Sequence, residues 1–321
     1  MLIMKFPFFT NLFKRSSGEG ARVVASFRGD VALFVRVKQV GGKAKVVTYE
    51  VSQLSGRASP ELSRCCSQFN IGGYRYSTLL GSSEYQMLTV EAPNVPKEEL
   101  KAAIRWRVKD MLNYHVDDAT IDVLQIPSGK PGPAHAQSLY VVAAHNELIR
   151  KRIALFEDAK LKLDIIDIPE MAQRNIAALF EDEGRGLVLL AFDENGGILT
   201  FSGGGELYLA RRIEISMGQL QDADDRLRRQ AFDRLELEVQ RSLDYFDRQF
   251  NHIAVSRMLV AVPSQTGLVD VLQENLDVQV ERLDLSQVMD MTAVPELASD
   301  EAQVDAFYAL GAALRIERRA L

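Results

Sequence analysis

Two glycine turns interrupt the run LVLLAFDENGGILTFSGGGELYLARRIEI (residues 187–215), and each falls where an apolar strand-like run ends. Backbone N–H groups at such turns can cradle phosphate oxygens, because glycine carries no Cβ to hold the ligand off. The residues that could do this are Asp193, Gly196 and Gly197 here and Gly29 in the earlier turn SFRGD. The same turn carries its own objection. Asp193 and Glu194 put negative charge where a phosphate would sit, and at about 4 Å like charges cost on the order of 4 kcal/mol at an effective dielectric of 20. Asn195-Gly196 is also a strong hairpin signal, and Gly203 to Gly205 form a second turn.

Other chemistry is thinly supplied. His115, His135, His145 and His252 are scattered, without the paired spacing of a metal site. No GxSxG elbow presents a nucleophile. Cys65 and Cys66 are adjacent, which suits two reduced thiols on a helix in a cytoplasmic protein better than a disulfide framework. Trp106 stands between Arg105 and Arg107; both residue types are frequent binding anchors, but the expected arrangement is a buried indole with two solvated guanidiniums. QDADDRLRRQ reads as a charged helix start, acids leading and bases following. A net charge of −6, with Lys and Arg interleaved among acids, argues against a nucleic-acid partner.

The elements that must position these residues come in a repeated order. RVVASF, VALFVRVK and KAKVVTYEVSQL read as strands, SPELSRCCSQFNI as a helix capped by Ser59, and YRYSTLL as a further strand. From Gly186 the order starts again: three strands, then a long helix. Its apolar stripe is Leu227, Ala231, Leu235, Val239, Leu243, Phe246 and Phe250. SRMLVAVP follows as a strand buried on both faces. Between the copies, about residues 84–168, lies an α-β-β-α-β insertion: the helix VPKEELKAAIRWRVKDML, a hairpin across PSGKPGPAHAQ, a helix that Asn146 would cap, and the strand KLDIIDI. The domains expected are a tail (1–20), a first half with its insertion (21–183) and a second half (184–321), with the helix at 302–320 able to return to the first half. In the tail, Phe6, Phe9 and Phe13 with Lys14 and Arg15 suit a segment lying on a membrane surface as well as a loosely ordered end. No stretch is long and apolar enough to span a bilayer, so membrane contact is expected to be peripheral only.

Two β-β-β-α-β units with an insertion after the first resemble the duplicated fold of the actin, sugar-kinase and chaperone-ATPase superfamily. Three stretches narrow the likeness. VPKEELKAAIRWRVKDMLNYHVDDATIDV, YVVAAHNELIRKRIALFEDAKLKLDIIDIPEMAQRNI and LELEVQRSLDYFDRQF resemble segments of the type IV pilus assembly protein PilM family, the last most specifically. The likeness runs from Arg22 to the end and is strongest to the MshI proteins of the mannose-sensitive haemagglutinin (MSHA) pilus; the cytoplasmic domain of GspL is a more distant relative. It implies an α/β, duplicated actin-like (ribonuclease H-like) fold related to FtsA, with an inserted α+β subdomain. It also implies a non-catalytic adaptor at the cytoplasmic face of the inner membrane. The adaptor would hold the N-terminal peptide of a PilN-like membrane protein between the first half and the insertion, within the complex of the pilus assembly ATPase. Self-association into a homo-oligomer stays open.

ATP-binding members of the superfamily carry an Asp-x-Gly triad on each hairpin. Here Phe27 precedes Gly29 at the aspartate position; in the second copy Ala191 takes that position and Asp193 the glycine position. Pro263 and Ser264 stand where a Gly-Gly pair would grip adenosine. All three contacts have departed together, so Gly29, Asp193, Gly196 and Gly197 are expected to be vestigial, with no catalytic residue, metal or cofactor. The alternative is an actin-like ATPase that binds ATP and magnesium and acts as a switch or polymerising scaffold.

Overall fold

The computed structural model describes residues 22–54, 58–127 and 137–315. The tail (1–20), His135 and the expected helix beyond residue 315 lie outside these described residues.

The first half opens with β1 (Arg22–Arg28), β2 (Val31–Val40) and β3 (Lys43–Gln53), an antiparallel meander. Helix α1 (Ala58–Gln68) leads to β4 (Arg75–Leu79), which lies parallel to β1. Ser59 sits inside α1 rather than capping it. The second half repeats the plan with β9 (Gly186–Phe192), β10 (Gly197–Gly203) and β11 (Glu206–Ile213), then α5 (Met217–Leu220) and α6 (Asp225–Gln249). Strand β12 (Val255–Ala261) is parallel to β9, and α7 (Leu268–Asn275) carries the chain to β13 (Gln279–Arg282), parallel to β12.

The inserted segment is smaller than the sequence suggests. Strand β5 (Tyr85–Glu91), which the sequence reading passes over, joins β6 (Ala119–Gln125) and β7 (Ser138–His145) in the separate sheet β5-β7-β6. Helix α2 (Leu100–Val108) covers one face of it through Ile104 and Val108, against Val90, Leu139 and Val141. By contrast α3 (Asn146–Asp158) packs on α1, and β8 (Lys162–Asp167) pairs in parallel with β4. These last two elements therefore belong to the first half. The sheets contain the orders β3-β2-β1-β4-β8 and β11-β10-β9-β12-β13, so one strand order occurs twice.

The units are laced together by their last helices. Helix α4 (Pro169–Ala177), which ends the first unit, packs against β9, β10 and β11 of the second sheet. Helix α8 (Asp300–Ala313), which ends the second, packs against β1, β2 and β4 of the first. The short strand β14 (Met289–Asp290) also crosses over, pairing with β3. One cluster consequently spans both halves, from Val24, Val35 and Leu79 through Ile176, Phe307 and Leu310 to Leu189, Ile198 and Leu259. Alternate residues of each central strand face the outer helices: Val23 and Ala25 meet Leu62 and Phe156, while Val188 and Leu190 share a cluster with Leu235, Val239 and Phe246. Burial on both faces explains the unbroken apolar runs of β9 and β10. On α6, Ala231, Leu235, Val239, Phe246 and Phe250 are buried as the stripe requires, but Leu227 is exposed at its start.

Candidate functional site

Phe27, at the first aspartate position, sits edge-on to Phe156, with ring centroids 6.1 Å apart, in the cluster under α1 and α3. Gly29 is left-handed at φ +53° and borders open space, as a tight turn between β1 and β2 requires. Its neighbour Arg28 reaches Asp305 on α8 at 2.8 Å. In the second turn Asp193 closes on itself. Its Oδ1 accepts the N–H groups of Asn195 (2.8 Å) and Gly196 (3.1 Å), and its own N–H donates to Gly196 O at 2.9 Å. The amides that would cradle a phosphate are thus taken by a carboxylate. Asn195 is not left-handed, so the expected Asn-Gly hairpin turn is replaced by this carboxylate-capped one. Gly196 lies at φ +147°, where an added Cβ would meet Ile213 O at 2.4 Å; a Cβ on Gly197 would press on Phe192 at 3.1 Å. Both glycines serve strand packing.

Five residues meet where the halves face each other, and of these the sequence singles out only Asn195, as part of a hairpin turn. Ser82 comes from the loop that enters the insertion, Tyr85 from the start of β5, Glu170 from the first turn of α4, and Asn195 and Arg212 from the second half. Arg212 Nη1 donates to Ser82 O and its Nη2 to Glu170 Oε1 at 3.4 Å, while its guanidinium lies 4.6 Å from the Tyr85 ring centroid. Tyr85 Oη donates to Glu170 Oε2, and Asn195 Nδ2 to Ser82 Oγ at 3.0 Å. Burial, with the Glu170 charge adding to it, raises the Tyr85 phenol well above its ordinary value. Burial alone would lower the Arg212 pKa, but Tyr85 and Glu170 outweigh it and hold the guanidinium up. Both Glu170 oxygens are engaged internally, one by Tyr85 and one by Arg212. Tyr308 fills more of the same region from α8; burial first, then the charges of Asp193 and Glu170, push its phenol up. The result is a polar strut across the cleft.

A second link joins the insertion to the second half. Tyr140 Oη on β7 donates to Tyr208 O at 3.2 Å and accepts from Ala210 N at 3.0 Å. Strand β11 is an edge strand, so this hydroxyl does the work of a missing neighbour's backbone. Burial pushes the Tyr140 phenol up to about 12, despite the Ala210 N–H that favours its anion. The folded pKa lies above the unfolded one, so this stabilisation is complete below pH 10 and is lost as pH rises from about 10 towards 12. Tyr140→Phe should cost about 1–2 kcal/mol in urea unfolding at pH 8. The gap from wild type should narrow at pH 11; an unchanged gap would show that the phenol does not titrate as argued.

The remaining candidates resolve into structural roles. His115 and His145 accept from the N–H groups of Asp117 and Glu147 at 3.3 and 3.2 Å, capping their segments. His145, not Asn146, is therefore the cap of α3; Asn146 bonds Thr120 and Asp117 instead. Among the described residues no group of three His, Cys, Asp or Glu side chains could hold a metal ion. Both cysteines are buried and free. The expected burial of the Trp106 indole does not hold, although Arg107 is exposed as expected. The Trp106 side chain is 71% exposed, while Arg105 donates to Val116 O at 2.7 Å and Arg107 to Glu91 O at 2.8 Å.

No family model matches the chain, and none of the curated proteins is similar to it at a significant level. Among solved structures, one titled as a PilM–PilN type IV pilus biogenesis complex is similar at a TM-score of 0.74 with 16% identity, over 92% of this chain and 98% of that one. The cytoplasmic domain of EpsL, an inner-membrane component of the type II secretion system of Vibrio cholerae, gives 0.41 with 14% identity over 64% and 76%. A Bacteroides thetaiotaomicron protein of actin-like ATPase fold gives 0.48 with 8% identity over 87% and 96%. The last two overlaps are too loose to argue from. Together with the repeated strand order, the first identifies the architecture: this chain has a duplicated actin-like α/β fold with an inserted α+β subdomain.

Proposed function

We propose that the chain is a non-catalytic adaptor of a type IV pilus assembly machine, holding the cytoplasmic N-terminal peptide of a PilN-like inner-membrane protein. The observation that carries this reading is the nearly full-length structural likeness to a chain of the PilM–PilN complex. The likeness of RSLDYF and its neighbours to PilM segments supports it, and favours an MSHA-type system. The seat of the peptide is the junction of the first half with the insertion, where Glu84 ties the β4–β5 loop to Arg152 of α3 at 2.9 Å. Among the described residues no helix is long and apolar enough to cross a membrane. On this reading the chain works at the cytoplasmic face through its membrane partner.

The carboxylate-capped turn favours an adaptor over the ATPase reading, since it occupies backbone amides that a nucleotide's phosphates would need. Isothermal calorimetry of the full chain with the cognate peptide should show saturable binding, and thermal shift with ATP and magnesium should show none. A melting temperature that rises with nucleotide would favour the ATPase, because a ligand bound only to the native state stabilises it. Folded protein that leaves the peptide unbound at high micromolar concentration would count against the adaptor.

A further inference from the structure

The outer face of α2 is unlike the rest of this acidic chain. Ile104 and Val108 turn inward, and Trp106 falls on the opposite side, 71% exposed. Lys109 Nζ lies 5.1 Å from the centroid of its ring. Met111, 47% exposed, follows the helix, and Val95 is exposed ahead of it. Between Leu100 and Lys109 the chain carries Lys101, Arg105, Arg107 and Lys109 and no carboxylate, whereas the whole protein has a net charge of −6. Glu98, Glu99 and Asp110 flank this stretch at its two ends. Arg107 donates to a carbonyl oxygen and keeps its positive charge, whereas Arg105 donates to Val116 O and is also ion-paired with Asp117 Oδ1 at 3.3 Å.

Tryptophan prefers the head-group level of a bilayer, where its ring is half immersed and its N–H stays hydrated. Basic side chains beside it keep their charged groups in water and meet anionic lipid. We propose that the outward face of α2 docks on anionic phospholipid head groups, with Trp106 as the interfacial anchor and Arg107 and Lys109 as the flanking cations. The charge of the surface selects the occupant: a cation-rich, acid-free convex helix complements a negative, flat membrane. This inference stands independently of the peptide reading, because the lipid contact lies on the covered side of the inserted sheet and needs no partner protein.

Trp106 is the only tryptophan in the chain, so its emission reports on this face alone. Titrating the full chain with vesicles of equal parts phosphatidylglycerol and phosphatidylcholine should shift the emission to the blue, and high salt should reverse the shift. Pure phosphatidylcholine should produce little. Lys109→Glu changes the surface by two charges and should weaken the partition roughly tenfold or more at low salt. Trp106→Ala should reduce co-sedimentation with the anionic vesicles while circular dichroism stays unchanged. No emission shift at saturating anionic lipid would overturn the proposal, as would an equal shift with neutral vesicles. Sedimentation through the Phe-rich N-terminal stretch would leave the emission unmoved and would also overturn it. So would a shift produced by the membrane-protein peptide but not by lipid.

Discussion

Arg212→Ala should lower the stability of the protein by about 3 kcal/mol, the lower end of the cost of breaking a buried ion pair. The lower end applies because the Arg212 side chain is 38% exposed, so water can enter where the guanidinium stood. Its partner has no such relief: the Glu170 side chain is 2% exposed and would keep only the Tyr85 hydroxyl. With ~2.1 cal/mol/K of unfolding entropy per residue, that loss should lower the melting temperature by roughly 4–5 °C. Arg212→Met combined with Glu170→Met should recover most of the loss, since it removes both charges and leaves apolar volume. Hydrogen exchange should quicken around Ser82, Tyr85 and β11 in the single variant, because the strut is what ties the entry to the insertion to the second half. Stability within 0.5 kcal/mol of wild type would show that Arg212 is only a surface side chain.

Of those five strut residues the sequence points only to Asn195, and to it only as a turn residue; the reason is physical. Ser82 and Arg212 lie 130 positions apart, and each is an ordinary residue in its local setting. What sequence does report is local periodicity and runs of burial. These made β9, β10 and α6 legible, because strands buried on both faces are unbroken apolar runs and a long helix repeats every three to four residues. They could not say which sheet a short strand would join. LDIID of β8 reads the same at the end of an insertion or beside β4, and only the register Thr78↔Ile166 decides. Residue type alone misplaces Trp106, whereas Leu100, Ile104 and Val108 recur every four residues and place position 106 on the far face. At the turns, the substitutions Phe27 and Ala191 pointed away from a phosphate site, but the cap that Asp193 makes for its own amides required the backbone.

Gly311→Ala should destabilise the protein strongly, although it adds only one methyl group. Helices α4 and α8 cross so closely that a Cβ at Gly311 would lie 2.2 Å from Ala172 O, 2.6 Å from its carbonyl carbon and 3.0 Å from its Cα. These are backbone atoms, so no rotamer change can make room; the helices themselves must separate. Separation would strip contacts from Phe307, Leu310 and Ile176 in the cluster that spans both halves, and would stretch the bond from Asn175 Nδ2 to Gly311 O, now 2.9 Å. Alanine is favoured over glycine in a helix by about 1 kcal/mol, which offsets part of the cost. Overpacking against a rigid partner exceeds that gain, so a net loss of about 3 kcal/mol is expected in urea unfolding, and Gly311→Val should give no soluble folded protein. Adding Ala172→Gly should not rescue the variant, because it removes a methyl group and leaves the obstructing carbonyl in place. The control is Gly73→Ala, which meets nothing within 4 Å. That change should stay within about 0.5 kcal/mol of wild type. If Gly311→Ala were equally silent, the halves would not be held by this crossing, and α8 would be an appendage to the first sheet rather than the bolt between the two.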